Sequence, residues 1–155
     1  KGAWDAMFWM GGLVALATAL AKSGFIAWIA KLIGTAVAAA NMGWIASFVL
    51  ISLIYIYSHY CFASVTARIS AMYAAFVAVA AACGVPAMLV AITFGCFANL
   101  PISLTHYGNG CGPVYFGAGY VSQGEWWRNG FIITTINVVI WLTIGMAWWK
   151  FIGLY

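Results

Sequence analysis

The chain has 155 residues, 66% of them hydrophobic and only 5% charged, with a mean hydropathy of +1.04. Water-soluble domains carry about 25% charged residues, so this composition excludes one and indicates an all-α integral membrane protein. The net charge of +4 comes from few residues and forms no basic cluster, which excludes a nucleic-acid footprint.

Residues 4–21 form the first membrane-helix candidate, and eighteen residues at ~1.5 Å each are just enough to span. Lys22-Ser23-Gly24 ends it. Over 25–34, Phe25, Trp28, Ile29 and Ile33 share a stripe that avoids Lys31, the pattern of an amphipathic helix at the interface. Asn41 is expected to open the next helix, which runs through aliphatic and aromatic residues to Ser58-His59-Tyr60. Residues 61–68 turn polar, and 69–82 are alanine-rich, suited to close helix packing. Gly84-Val85-Pro86 reads as a turn, with Pro86 opening the following helix. A break follows Leu100, marked by Pro101, Gly108, Gly110, Gly112 and Pro113. Residues 114–121 are expected as a second half-helix, 122–125 as a polar connection and 126–153 as the final membrane helix, belted by Trp126, Trp127, Trp148 and Trp149. Neither 71–82 nor 86–100 reaches the ~20 residues of a full span. Two short apolar segments around polar breaks predict a re-entrant hairpin over 41–82 and a discontinuous helix over 86–121.

Irregular backbone at bilayer depth must be buried in protein or line a watery cavity, because lipid offers no hydrogen-bond partners. Such breaks are where secondary transporters place substrates and ions. The two breaks here, 64–68 and 105–112, combine hydroxyls, amides and half-helix N-termini, all of which favour an anion. The candidate substrate-binding residues are therefore Ser64, Val65, Thr66 and Arg68 from the first break and Thr105, His106, Asn109 and Gly110 from the second. A charge inside a membrane segment faces a cavity or a partner, so Arg68 either contacts the anion, pairs with a carboxylate or lies near an interface. His106 is either a hydrogen-bonded packing residue or a substrate donor; His59 reads as interfacial. Cys61, Cys83, Cys96 and Cys111 show no metal-ligand spacing and read as buried or lipid-facing thiols. No paired carboxylates, activated nucleophile or phosphate loop is present, so an enzyme is not expected.

With these residues in view, the sequence resembles the divalent anion:sodium symporter family, in its branch of dicarboxylate and citrate carriers. The resemblance rests on Phe62-Ala-Ser-Val-Thr-Ala67, Asn99-Leu100, Leu104-Thr-His-Tyr-Gly108 and Pro113-Val-Tyr-Phe-Gly-Ala-Gly-Tyr-Val121, with Trp141-Leu142 and Trp148-Trp149-Lys150. It implies an elevator-type transporter with two inverted repeats, of which this chain is the C-terminal end, cut from something longer. Residues 4–21 would be a scaffold helix, 25–34 the arm linking it to the transport domain, and 41–155 part of that domain. It also implies a homodimer in a bacterial inner membrane, or in the plastid inner envelope. The expected function is exchange of di- and tricarboxylate anions without a cofactor. A sodium-coupled symporter is the alternative; a helical subunit of a membrane enzyme is disfavoured because His59 and His106 both sit at breaks. The symporters carry Ser-Asn-Thr at the hairpin tip, where this chain has Ser64-Val65-Thr66. The exchangers often read Thr-Gly-Pro-Ala-Pro where it has Asn109-Gly-Cys-Gly-Pro113.

Overall fold

The computed structural model describes residues 4, 8, 11, 12, 15, 16, 18, 19 and 22–155. The scaffold helix expected over 4–21 falls mostly outside the described residues. From residue 22 onward the described chain is helical with turns and loops, and contains no strand.

Helix α1 spans Phe25–Ala39, five residues beyond the expected end. It packs on the protein by another face than its interfacial stripe. Ile26, Ala30 and Val37 are buried with Ile33 beside them, while Phe25 and Trp28 stay exposed and stack with ring centroids 6.0 Å apart. Positions 26, 30, 33 and 37 form an i, i+4, i+7, i+11 ladder, and this ladder meets α3. Gly34 permits the approach, since a Cβ there would lie 3.0 Å from Val79 Cγ1.

Asn41 does not open the next helix. It takes φ +48°, a left-handed conformation that asparagine tolerates better than most residues. Helix α2 starts later and spans Trp44–Tyr57. One tight 3-10 turn, Ser58–Cys61, and extended backbone at Phe62 and Ser64 lead into helix α3, Val65–Ala82. The polar run 64–68 is thus the cap and first turn of a regular helix rather than an irregular break. Ser64 Oγ accepts from the Ala67 N–H at 3.4 Å, the usual job of a serine before a first turn. Helix α3 ends at Gly84, φ +81°, where Gly84 N–H donates to Ala81 O and Val85 N–H to Ala80 O. This paired closure needs a left-handed residue that glycine supplies freely.

Pro86 precedes the first turn of α4, Ala87–Cys96, which stops four residues short of Leu100. A single tight turn, Leu100–Ser103, follows, then a loop to α5, Gly112–Gly117. The second half-helix is therefore shorter than expected, and Gly119 at φ +77° closes it. Residues 122–125 are not a free connection but the start of the last helix. Ser122 and Glu125 form a reciprocal capping box on α6, Gln123–Ile140. A wide π turn, Trp141–Gly145, joins α6 to α7, Met146–Phe151, without interrupting the helical run.

Among the described residues, three helical stretches are long and apolar enough to cross a membrane: Trp44–Cys61, Val65–Ala82 and Gln123–Phe151. On α6, Phe131, Ile132, Ile133, Ile136, Val139 and Ile140 are all exposed. A soluble monomer rarely leaves so continuous an apolar face open. The polar side chains along this helix turn inward on its own backbone: Thr135 donates to Phe131 O, Asn137 to Ile133 O and Thr143 to Val139 O.

The core lies where α2, α3 and α4 meet, around Phe48, Ile51, Tyr55, Phe76, Leu89, Phe94 and Phe97. Tyr55 stacks on Phe94 with centroids 4.6 Å apart. Arg68 ties the three helices together. Its guanidinium is fully buried and donates to Tyr55 O at 2.9 Å, Phe97 O at 3.2 Å and Ala98 O at 2.7 Å. It also lies 4.6 Å above the Tyr55 ring. Among the described residues no carboxylate pairs with it. Gly130 does the equivalent work for α6: a Cβ there would overlap the Ser103 carbonyl, so only glycine lets α6 rest against the Leu100–Ser103 turn.

Arg68→Leu strands the Phe97 and Ala98 carbonyls, while Tyr55 O keeps the Ser58 hydroxyl, and should lower stability by about 3 kcal/mol, read as a drop in unfolding temperature of the full-length protein in detergent. Gly130→Ala should also destabilise, by roughly 1–3 kcal/mol, because the obstacle is backbone. Gly34→Ala brings a Cβ to 3.0 Å from a methyl of the stiff, β-branched Val79 and should destabilise less than Gly130→Ala in the same assay, because a side chain rather than backbone has to give.

Candidate functional site

The break expected over 105–112 is seated not on residues 64–68, the other expected break, but on the Ser58–Cys61 turn that precedes them at the end of α2. It is the loop between Ser103 and Gly112. Tyr107 Oη donates to Tyr60 O at 2.9 Å. Burial pushes the Tyr107 phenol above its ordinary pKa, with the neighbouring Cys61 thiol acting in the same direction, so the group stays a donor. Gly108 packs directly on the His59 imidazole and on Thr105.

The loop organises itself through Asn109. Its Oδ1 accepts from Cys111 N–H at 2.8 Å and Gly112 N–H at 2.7 Å, and its Nδ2 donates to Ile102 O at 3.1 Å. This is a side-chain turn of the kind asparagine favours, and it commits both ends of the amide. Gly112 closes the loop, because a Cβ there would overlap His106 O. His106 Nδ1 accepts from Trp127 Nε1 at 3.2 Å, and its ring stacks on Phe116 with centroids 4.3 Å apart. An accepting Nδ1 places the proton of the neutral ring on Nε2.

The remaining sequence candidates are placed as follows. Ser64 is buried and caps α3, Val65 is half-buried, Thr66 is exposed on the first turn, and Gly110 is exposed at the loop tip. Thr105 is fully buried and its hydroxyl has no partner. Arg68, expected to face a cavity, has its guanidinium spread over three backbone carbonyls. It remains within electrostatic reach of His59. Cys61 and Cys111 are exposed and Cys83 and Cys96 half-buried; all four thiols are free. Among the described residues no group of three His, Cys, Asp or Glu side chains could hold a metal ion.

His59, expected as an interfacial residue, is fully buried within the protein, against Gly108. Its only sequence signal was its position at the end of an apolar run beside a polar break.

The sequence profile of the family described as the sodium:sulfate symporter transmembrane region matches residues 1–155. The chain is 45% identical over 153 residues to dicarboxylate transporter 1, chloroplastic, of Spinacia oleracea, covering 99% of this chain and 27% of that protein. It is 45% identical over 155 residues to a putative malate transporter of Bacillus subtilis, covering all of this chain and 32% of that one. An inner membrane protein of Escherichia coli is 36% identical over 150 residues, 97% of this chain and 31% of that protein. The chain thus spans about a third of the length of these relatives. The family and these named transporters are not enzymes, and with three helices able to span a bilayer the chain is part of a multi-pass integral membrane protein. On the match along its whole length, the chain belongs to the sodium:sulfate symporter transmembrane family, the divalent anion:sodium symporters whose motifs it carries.

Proposed function

We propose that the full-length protein is a secondary carrier of di- and tricarboxylate anions, of the malate, succinate, 2-oxoglutarate, citrate and tartrate class, working by exchange. The observation that carries this reading is the glycine-rich loop seated on the Ser58–Cys61 turn, in a chain 45% identical to transporters named for dicarboxylate and malate. This chain supplies the end of the second of two inverted repeats. α2 and α3 act as the re-entrant hairpin, α4 and α5 as the broken helix, and α1 as the arm to the scaffold; the mobile part moves as an elevator within a homodimer. The membrane is a bacterial inner membrane, with the plastid inner envelope the counterpart for the chloroplast relatives. The anion meets Thr66, Thr105, the Nε2 side of His106 and the exposed backbone at Gly110. Ser64, Val65 and Asn109 shape the walls.

Arg68 is a permanent cation in a low-dielectric setting, and it needs no co-transported ion to stay charged. Its field favours an anion near the loop and disfavours movement of the empty carrier, which is the behaviour of an exchanger. The family description names sodium symport, so sodium coupling is the second reading; in that case sodium would be the only added ion.

In proteoliposomes loaded with malate, the full-length protein should take up labelled malate by counterflow at the same rate in sodium and in potassium. A requirement for external sodium would replace exchange by symport. Cys111 supplies a second check. With the other cysteines of the full-length protein replaced, it should react with a charged thiol reagent, and saturating malate should slow that reaction several-fold. Cys83, at the far end of α3, lines a separate cavity of about 280 Å³ with Lys31, Gly34 and Val79. As the single cysteine it should react at a rate malate does not change. Equal protection of both, or of neither, would remove the loop from the binding site.

A further inference from the structure

Trp127 has no part in the reading above, yet it sits against the loop of the second break. The capping box of Ser122 and Glu125 fixes where α6 begins, and Gly130 lets that helix rest on the Leu100–Ser103 turn. Trp127 precedes Gly130 by three residues and so lies on the same face of the helix. From there its Nε1 donates to His106 Nδ1 at 3.2 Å. Its ring also lies 5.7 Å from Tyr60 and 6.3 Å from Tyr107, centroid to centroid.

An indole N–H can only donate. A hydroxyl at the same place could donate or accept, and would leave the imidazole free to hold its proton on either nitrogen. Opposite Trp127, Nδ1 must present its lone pair. The same contact fixes which way round the ring stands, because a flipped imidazole would set a C–H against the indole N–H. Phe116, stacked on the ring with centroids 4.3 Å apart, holds its plane but does not distinguish nitrogen from carbon along its edge. Among the described residues no group bonds to Nε2, and His106 is only half-buried.

Resting on the reading that the anion meets the Nε2 side of His106, we propose that Trp127 is a positioning residue: it fixes the flip and the tautomer of His106 so that an N–H faces the carried carboxylate. The alternatives are costly. A flipped ring offers a C–H in place of Nε2, and the other tautomer turns a lone pair toward a carboxylate, which repels it. An N–H donated to an ionised acceptor is the stronger kind of hydrogen bond. Trp127 also keeps the ring neutral, since a proton arriving on Nδ1 would meet the indole N–H head-on.

The test uses the full-length carrier in proteoliposomes, with KM for labelled malate measured at pH 8 and at pH 6. Trp127→Phe keeps an aromatic ring and removes the N–H. Its KM should stand several-fold above wild type at pH 8. At pH 6 the freed Nδ1 can take a proton and both nitrogens then donate, so the ratio of variant to wild-type KM should fall by about half or more. The other titratable or charged groups on the surrounding elements are Tyr107 and Cys111 of the loop, His59, Tyr60 and Cys61 of the turn, Arg68 of α3, Tyr115 of α5, and Glu125 and Arg128 of α6. All are the same in both proteins, so their titration divides out of that ratio. In a His106→Gln background, which has no Nδ1, Trp127→Phe should change KM less than about twofold. His106→Gln itself, whose amide reaches the place of Nε2, should keep a KM nearer wild type than His106→Asn, whose amide reaches only that of Nδ1. The reverse order would overturn the inference. So would a Trp127→Phe ratio equal at both pH values or undiminished in the His106→Gln background, either of which makes Trp127 a packing residue. Malate exchange by the unmodified carrier leaves the transport reading standing in each of these cases, and its absence would end both.

Discussion

A buried guanidinium must find donors' worth of acceptors or it cannot stay dry. Taking an ion out of water costs several kcal/mol even after relaxation, and Arg68 recovers this from three carbonyls and one aromatic face. Those carbonyls are the ones that helix ends leave over. Tyr55 O lies where α2 gives way to a tight turn, and Phe97 O and Ala98 O lie just past the end of α4. The last carbonyls of α4 gain partners and the two terminal nitrogens of the guanidinium gain acceptors, while Tyr55 O accepts from the Ser58 hydroxyl as well and Arg68 Nε stays unpaired. A cation at two helix C-termini also meets the negative ends of two macrodipoles. Once α2, α3 and α4 are fastened this way, the Ser58–Cys61 turn is held in place, and the loop of the second break has a surface to dock on.

The docked loop then shows a division of labour. Asn109 spends its amide on the loop's own backbone, and His106 spends one nitrogen on Trp127. Glycines stand where backbone or ring must come closest, at Gly108 against His59, Gly112 against His106 and Gly130 against Ser103. Rigid support and close approach are what a site of sub-ångström tolerance requires from its surroundings.

Much of this could be read from the sequence, because some features write themselves into composition. Low charge and long apolar runs mark a helical membrane protein, and glycine and proline from Pro101 to Pro113 mark the second break. Other features do not. The polar run at 64–68 reads as a break because polarity inside an apolar segment resembles one, yet a capping serine starts a regular helix with the same residues. Arg68's partners are backbone carbonyls, which have no sequence signature. The face by which α1 packs on the protein was not legible, because nearly every residue around that helix is apolar; contact with α3 through Gly34 selects the 26, 30, 33 and 37 ladder and leaves Phe25 and Trp28 of the interfacial stripe exposed. His59 looked peripheral because its neighbours, Thr105 and Gly108, lie far along the chain.

The wide turn at Trp141–Gly145 has a geometric effect on everything after it. A π turn bonds residue i to i+5 and so winds through less angle per residue than the α-helix on either side. The buried face of α6 carries Gly130, Thr134 and Val138; without the wide turn, Met146 would come round well to one side of that line. With it, Met146 is buried and Trp149 packs on Trp141 with centroids 5.6 Å apart. The turn therefore behaves like a vernier: it absorbs one surplus residue in the length of the last helix without rotating its second half out of the core, and so keeps the Trp148 face exposed and the Trp149 face buried.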